Sequence, residues 1–321
     1  MPPTLPTPAD VTAAEHRIRS YVPVTPLFPS PGLSRMLGAD VWIKAETMSA
    51  LSAFKLRGAM NHMLAEPAAK GAVTASTGNH GQGVAYAARL LSRSADIFLP
   101  VGSPETKRNA IAGFGATLHV GGRDLDEAKL TGHAFAKAHG LPFVDDGEST
   151  HVIAGAGTIG LEIGEALPQA EIVFAATGSA SLASGTALGL KAAGSKARVV
   201  AVSSAQTPCM IRSFHARRAI EHEVTTICDC LNQRIPPKLS LACMLEHVAE
   251  ALEVDDTACL AAMHTLMADA HLLIEVGAAA SLAGAWQHRP AIRGSTTVLI
   301  LSGANSDTAM ILRALETPKI G

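Results

Sequence analysis

The chain has 321 residues, 48% of them hydrophobic and 17% charged, with a formal net charge of −2. That length suits about two domains of ~150 residues each, and this much apolar material excludes a disordered chain. Balanced charge with no basic stripe argues against a nucleic-acid partner, and no apolar run approaches the ~20 residues of a membrane span.

Taken in chain order, the first thirty residues are proline-rich and read as an extended arm, packed on the surface or partly disordered. Their start, MPPTLPTPADVTAAEHR, lacks a basic segment followed by an apolar one, so a cytoplasmic protein is expected. VWIKAE (Val41 to Glu46) reads as a strand. SAFKLRGA (Ser52 to Ala59) then leads into a helix through LRGAMNHMLA. Within it, Lys55 stands behind Phe54 and between small residues, where an amine can form a Schiff base on a flat cofactor. A lysine alone is ordinarily a solvated charge, so that reading needs a phosphate cradle and a ring partner elsewhere. AVTAS (Ala72 to Ser76) is a short strand, and GNHGQGVAYAARLL begins with glycines and becomes helical. DIFLPV (Asp96 to Val101) is a strand followed by Ser103-Pro104-Glu105, with a capping hydroxyl, a proline at the first helical position and an acid in the first turn. ATLHVGG and DLDEAKLTGHAFAKAHG repeat the strand–helix unit, and IVFAATG, ARVVAVSS and TTVLILSGA are further short apolar strands. Such alternation implies parallel sheets covered on both faces. Ligands then sit beyond the carboxyl ends of the strands, where STGNHG, TGSASLASG and SGANSD fall.

TGSASLASG (Thr177 to Gly185) follows a strand and enters a helix, so its backbone N–H groups and the hydroxyls of Ser179 and Ser181 can close on an anion. It lacks the Gly-Lys-Ser/Thr ending of a nucleotide-binding P-loop. STGNHG (Ser76 to Gly81) has the composition of an anion-binding turn, in which Asn79 can donate to a phenolate and His80 is either a base or structural. Ser302 ends a strand, where a hydroxyl can meet a ring nitrogen. GAGTIG (Gly155 to Gly160) matches a dinucleotide fingerprint in letters only, because no strand feeds it. The five cysteines include no C-x-x-C pair; Cys228 and Cys230 read as buried reduced thiols rather than half of a metal site.

Together, and in this order, these pieces resemble the fold-type II pyridoxal-phosphate-dependent enzymes, and within them the serine/threonine dehydratase and serine racemase group. SAFKLRGA, ASTGNHGQGVA, the Lys107 to Gly122 run, IAGAGTIGLEI, GSASL, IEVGAA and SGANSD carry the resemblance, which spans nearly the whole chain. It implies an α/β fold of the tryptophan synthase β-like type, with two domains, each a mainly parallel twisted sheet flanked by helices. Residues 1–70 and 149–321 would form a large cofactor-binding domain and 71–148 a small mobile one.

It also implies roles. Lys55 matches the Schiff-base lysine of pyridoxal 5'-phosphate, Phe54 the residue beside the ring, Asn79 the partner of the phenolic oxygen and Ser302 the partner of the ring nitrogen. Gly178, Ser179, Ala180, Ser181 and Leu182 match the phosphate loop, and Ser76, Thr77, Gly78, Asn79 and His80 the loop that receives the substrate carboxylate. Thr77 holds the position from which racemase-type members serve the opposite face, making it the second catalytic candidate. The chain departs from the pattern at Ser179, Ala180 and Ser181, usually glycines, at Ala53, usually serine, and at Ala156, usually glutamine. Ser203 and Cys209 stand where metal-binding acids are common, so no metal is expected. The sequence ends soon after SGANSD, and no C-terminal regulatory domain is expected.

The implied reaction is α,β-elimination from a 3-hydroxy amino acid to a 2-oxo acid and ammonia. The substrate would be serine, threonine or a bulkier analogue such as phenylserine or hydroxyaspartate. A serine or aspartate racemase on the same scaffold is the alternative, and a non-catalytic or nucleotide-binding α/β protein using GAGTIG is a third. The group commonly forms homodimers.

Overall fold

The computed structural model describes residues 3–103 and 105–321; Pro104, the expected first residue of a helix, lies outside them. The N-terminal segment is not an arm. Helix α1 (Pro8–Ile18) buries Val11, Ala14 and Ile18 completely. Thr7 starts it with a capping box: the Thr7 hydroxyl accepts from the Asp10 N–H at 3.3 Å, and the Asp10 carboxylate accepts from the Thr7 N–H at 2.8 Å. Pro8 occupies the first turn, where its missing N–H costs nothing. The prolines thus mark a helix start, which overturns the expectation of an extended or disordered segment.

Strand β1 (Leu27–Pro29), helix α2 (Pro31–Leu37) and strand β2 (Asp40–Ala45) precede helix α3 (Lys55–Ala65). Three strand–helix units follow: β3 (Gly71–Ala75) with α4 (Asn79–Leu90), β4 (Ser94–Leu99) with α5 (Glu105–Ala112), and β5 (Thr117–Val120) with α6 (Leu125–His139). Helix α7 (Thr150–Ala166) leads to β6 (Ile172–Ala176), α8 (Ser181–Ala192), β7 (Arg198–Ser204), β8 (Glu250–Val254) and β9 (Thr296–Leu301). Later helices, among them Asp256–Asp269 and Ala280–Gln287, complete the layers.

The strands form two sheets. The larger has the order β1-β2-β9-β6-β7-β8 and is parallel apart from the β1–β2 pair; the smaller is β3-β4-β5, all parallel. Strand β6 is buried at every residue, as a central strand covered on both faces must be. Its alternating residues feed two cores: Phe174 packs with Ile43, Leu282 and Leu299 on one side, and Val173 with Ile159, Leu182 and Val298 on the other. No helix of the described residues is long and apolar enough to cross a membrane.

GAGTIG lies inside α7, with no strand before it. Its glycines let α7 and α8 touch backbone to backbone. A Cβ on Gly160 would stand 2.0 Å from the Thr186 carbonyl oxygen, and one on Gly189 would stand 1.9 Å from that of Gly157. The motif is therefore a helix-crossing face.

Candidate active site

Lys55 is the first residue of α3, and several elements fix that helix start. Ser52 takes a left-handed backbone (φ 50°), and the Ser49 hydroxyl accepts from the Ala53 N–H at 3.0 Å while donating to its carbonyl at 2.9 Å. Two residues on, the guanidinium of Arg57 is fully buried among acids. It donates to Glu46 at 2.8 Å, to Glu162 at 2.7 Å and to Thr158 at 2.9 Å. Lys44 of β2 donates to the same Glu162 at 2.5 Å and Arg19 at 3.0 Å. Burial disfavours ionised Glu162, but the Arg57 and Lys44 charges outweigh it and pull the carboxyl down to about 2. This network ties α3 to β2, α7 and the end of α1.

SGANSD follows β9 and lies against the octapeptide. The Phe54 N–H donates to the Ser302 carbonyl at 3.1 Å, the Ala304 N–H to that of Ser52 at 2.8 Å, and Ala53 bridges Gly303. Asn79, at the start of α4, joins two further segments. Its Nδ2 donates to Glu275 Oε1 at 2.7 Å, and its Oδ1 accepts from Asn305 Nδ2 at 2.8 Å. Glu275 reaches this place because residue 303 is glycine: a Cβ there would stand 1.9 Å from Glu275 Oε1. Burial pushes the Glu275 carboxyl up to about 7, against the opposing pull of the Asn79 amide and the Lys107 and Lys55 charges.

The Lys55 ammonium stands 4.5 Å from the Phe54 ring centroid and 2.5 Å from Asp146 Oδ2. That same carboxylate lies in the TGSASL loop, accepting from Ser179 Oγ at 2.7 Å and from Ser181 Oγ at 3.1 Å. The loop is the start of α8, whose unpaired N–H groups favour negative charge. Ala180 holds the turn with a left-handed backbone (φ 65°), and Leu182 turns into the core. Burial disfavours an ionised Asp146, but Lys55 and the loop hydroxyl outweigh it and hold the carboxyl well below the usual range. Asp146 therefore acts as a stand-in anion. The loop holds one at hydrogen-bonding distance, with a primary amine on that anion's other side, so the residues fit a phosphate-bearing aldehyde cofactor.

His80 is buried, with Nε2 2.9 Å from the Val144 carbonyl. Its Nδ1 has no hydrogen-bond partner and faces Asp146 Oδ1 at 3.7 Å. Burial lowers its pKa, so the neutral ring donates through Nε2 and leaves an Nδ1 lone pair toward the site. Ser76 accepts from the Gly78 N–H at 3.3 Å, and Thr77 makes no side-chain hydrogen bond among the described residues.

Every expected site residue thus falls on one of the segments that meet here. The sequence reading missed Asp146, Glu275, Lys107 and Cys230. Asp146 stands in a polar stretch ahead of α7 and Glu275 inside IEVGAA, and neither carries a signal of its own in the sequence. Cys230 packs beside Gly277, where a Cβ would stand 2.4 Å from its sulfur, and burial pushes its thiol well up. Asp229, Cys230 and Glu275 bring their ligand atoms within 4.8 Å of one another, and Lys107 pairs with Asp229. Ser203 and Cys209 are buried, and Ser203 Oγ donates to the Thr207 carbonyl at 3.4 Å.

The sequence model of the family described as "Pyridoxal-phosphate dependent enzyme" matches residues 18–303. An L-threonine ammonia-lyase of Thermotoga maritima is 32% identical over 311 residues, covering 96% of this chain and 77% of its own. The processed form of threonine deaminase isoform 2 from Solanum lycopersicum is similar in structure, with a TM-score of 0.90 at 28% identity over 97% of this chain and 92% of that one. Maize serine racemase is as similar, with a TM-score of 0.91 at 27% identity over 97% of both chains.

Proposed function

Because the chain belongs to the family of pyridoxal-phosphate-dependent enzymes, we propose that it converts a 3-hydroxy amino acid to a 2-oxo acid and ammonia by α,β-elimination. One observation carries the reading: the Lys55 amine and the two hydroxyls of an anion-binding helix start share a single carboxylate, though they come from distant parts of the chain. The resemblance to an L-threonine ammonia-lyase along 96% of the chain points to the same chemistry.

In this reading Lys55 holds pyridoxal 5'-phosphate with the Phe54 ring beside it. The Gly178 to Leu182 loop takes its phosphate, Asn79 its phenolic oxygen and Ser302 its ring nitrogen. The bound cofactor supplies an electron sink for the substrate's α-carbon. The Lys55 amine would take the α-proton, and the β-hydroxyl would leave with a proton as water. The hydroxyls and the α4 N-terminus in the loop Ser76 to His80 receive the substrate carboxylate. A serine hydroxyl at residue 302 cannot hold a ring nitrogen protonated as a carboxylate would, which favours prompt elimination over repeated proton exchange. Residues 71–148 form a smaller unit that closes the cleft against 1–70 and 149–321, shielding the reaction from water. Likeness to a serine racemase supports a second reading, in which the Thr77 hydroxyl serves the opposite face.

The test begins with the purified chain and pyridoxal phosphate. Wild type should show the visible absorption band of the lysine-bound cofactor, and Lys55→Ala should lose both band and turnover. A band that survives in Lys55→Ala rejects the lysine assignment. L-serine, L-threonine, phenylserine and 3-hydroxyaspartate are then supplied, and 2-oxo acid and D-isomer measured. Oxo acid supports elimination; D-isomer without oxo acid replaces it with racemisation.

A further inference from the structure

Asp146 sits at the centre of the site but has no part in the proposed chemistry. Its side chain, 23% exposed, accepts from three donors that the cofactor reading assigns elsewhere: Lys55, Ser179 and Ser181. The surrounding turn is fastened. Asp145 Oδ1 accepts from the Gly147 N–H at 3.0 Å and the Glu148 N–H at 3.2 Å, while Glu148 accepts from the Lys238 and Leu239 N–H groups. A Cβ on Gly147 would stand 2.4 Å from Pro237, so the turn packs closely against that residue. Departure of the carboxylate from the loop therefore falls to rotation of the Asp146 side chain, which is 23% exposed. The cradle also exceeds what Asp146 can satisfy, since the buried His80 Nδ1 faces the carboxylate at 3.7 Å with no partner. A tetrahedral anion with a hydroxyl of its own would meet that atom as well.

A phosphate and a carboxylate cannot share these donors, because two anions this close repel strongly in a low-dielectric site. We propose that Asp146 is a built-in competitor for the cofactor's phosphate: the cofactor enters the cradle by displacing the carboxylate, and Asp146 thereby sets how tightly it is held. The inference rests on the cofactor reading given above. It makes the loop's preference for phosphate smaller than the donors alone would dictate. It also gives the loop a partner that preserves its shape whenever phosphate is not there.

The experiment uses the full-length chain stripped of cofactor, as wild type, Asp146→Asn and Asp146→Ala. Pyridoxal phosphate is titrated by its visible band, and inorganic phosphate by thermal unfolding. Both variants should bind pyridoxal phosphate at least about tenfold more tightly, since a charge-assisted competitor has gone. Inorganic phosphate should raise the melting temperature of the variants and leave that of wild type unmoved at the same concentration. Equal or weaker cofactor binding by the variants overturns the inference. So does a clear stabilisation of wild type by inorganic phosphate, a result that needs no variant to fold. Absence of any band in wild type defeats the cofactor reading itself. A normal wild-type band with unchanged affinity in Asp146→Asn defeats only the role given to Asp146.

Discussion

Glu275 shows how one buried carboxyl can be read in solution. It is 5% exposed and faces Asn79, Lys107, Lys55 and Cys230. Its folded pKa of about 7 lies above the ordinary value of 4.5, so the fold binds its proton more tightly than the unfolded chain does. The stability this confers is complete below about 4.5 and is lost as pH rises through about 7. At ~1.4 kcal/mol per pKa unit the loss is at most about 3–4 kcal/mol. Glu162 acts in the opposite sense, stabilising above 4.5 and failing as pH falls through about 2, so the two windows do not overlap. Glu275→Gln should therefore flatten the decline in urea-unfolding free energy between mildly acid and neutral pH; identical slopes in both proteins would mean that Glu275 is ionised in the fold. Lys55 stands out in the sequence because its neighbours form a distinctive octapeptide. Asp146 and Glu275 do not, because a carboxylate in a polar turn or an apolar motif declares no partner until distant segments meet. Ala180 replaces the usual glycine, yet it sits at φ 65°, where an L-residue costs roughly 1–2 kcal/mol.

The helices α3 and α7 are joined by charge as well as by packing. Arg57, Lys44 and Arg19 converge on Glu162, which is 4% exposed, with Glu46 on the far side of Arg57. Neutralising Glu162 leaves buried Lys44 without its counter-ion and removes half of Arg57's partners. Glu162→Gln should cost on the order of 3–5 kcal/mol in chemical denaturation, with the denaturant slope unchanged. A loss below about 1 kcal/mol would show that Glu46 alone suffices to hold Arg57. None of this was visible in the letters, since pairing partners such as Arg57 and Glu162 lie far apart in sequence. GAGTIG was set aside as a nucleotide motif for the right reason, the missing strand, but its use in the α7–α8 crossing appears only in three dimensions. The error at α1 has a local cause. Proline was weighed as an extender, while the capping pair Thr7 and Asp10 beside Pro8 gave the stronger signal.

At the scale of the whole molecule, alternating strands and helices were legible because the central strands are continuous apolar runs. The strands missed are β1 and β8, which stand at the two edges of the larger sheet. Both are only partly buried, and β8 reads EALEV, so neither carries that signal. The loops STGNHG, TGSASLASG and SGANSD do follow strand ends, as expected, but the contacts between the helices of the smaller sheet and the 229–234 segment were not legible. Lys107 of α5 pairs with Asp229, and Arg234 reaches Asp126 of α6 through Nε at 2.9 Å. These pairs tie the helices of the three-stranded sheet to the 229–234 segment between β7 and β8 of the larger sheet. The Arg234 pair is more than a third exposed on both sides, so salt should screen it. If residues 71–148 move as a unit, Asp126→Asn should speed amide hydrogen exchange in α4, α5 and α6 while leaving β6 and β9 unchanged. Raising salt should have the same effect on wild type and add little in Asp126→Asn, because the pair it weakens is already gone. Exchange that rises equally across both sheets would mean that the chain opens as one body, against separate motion of residues 71–148.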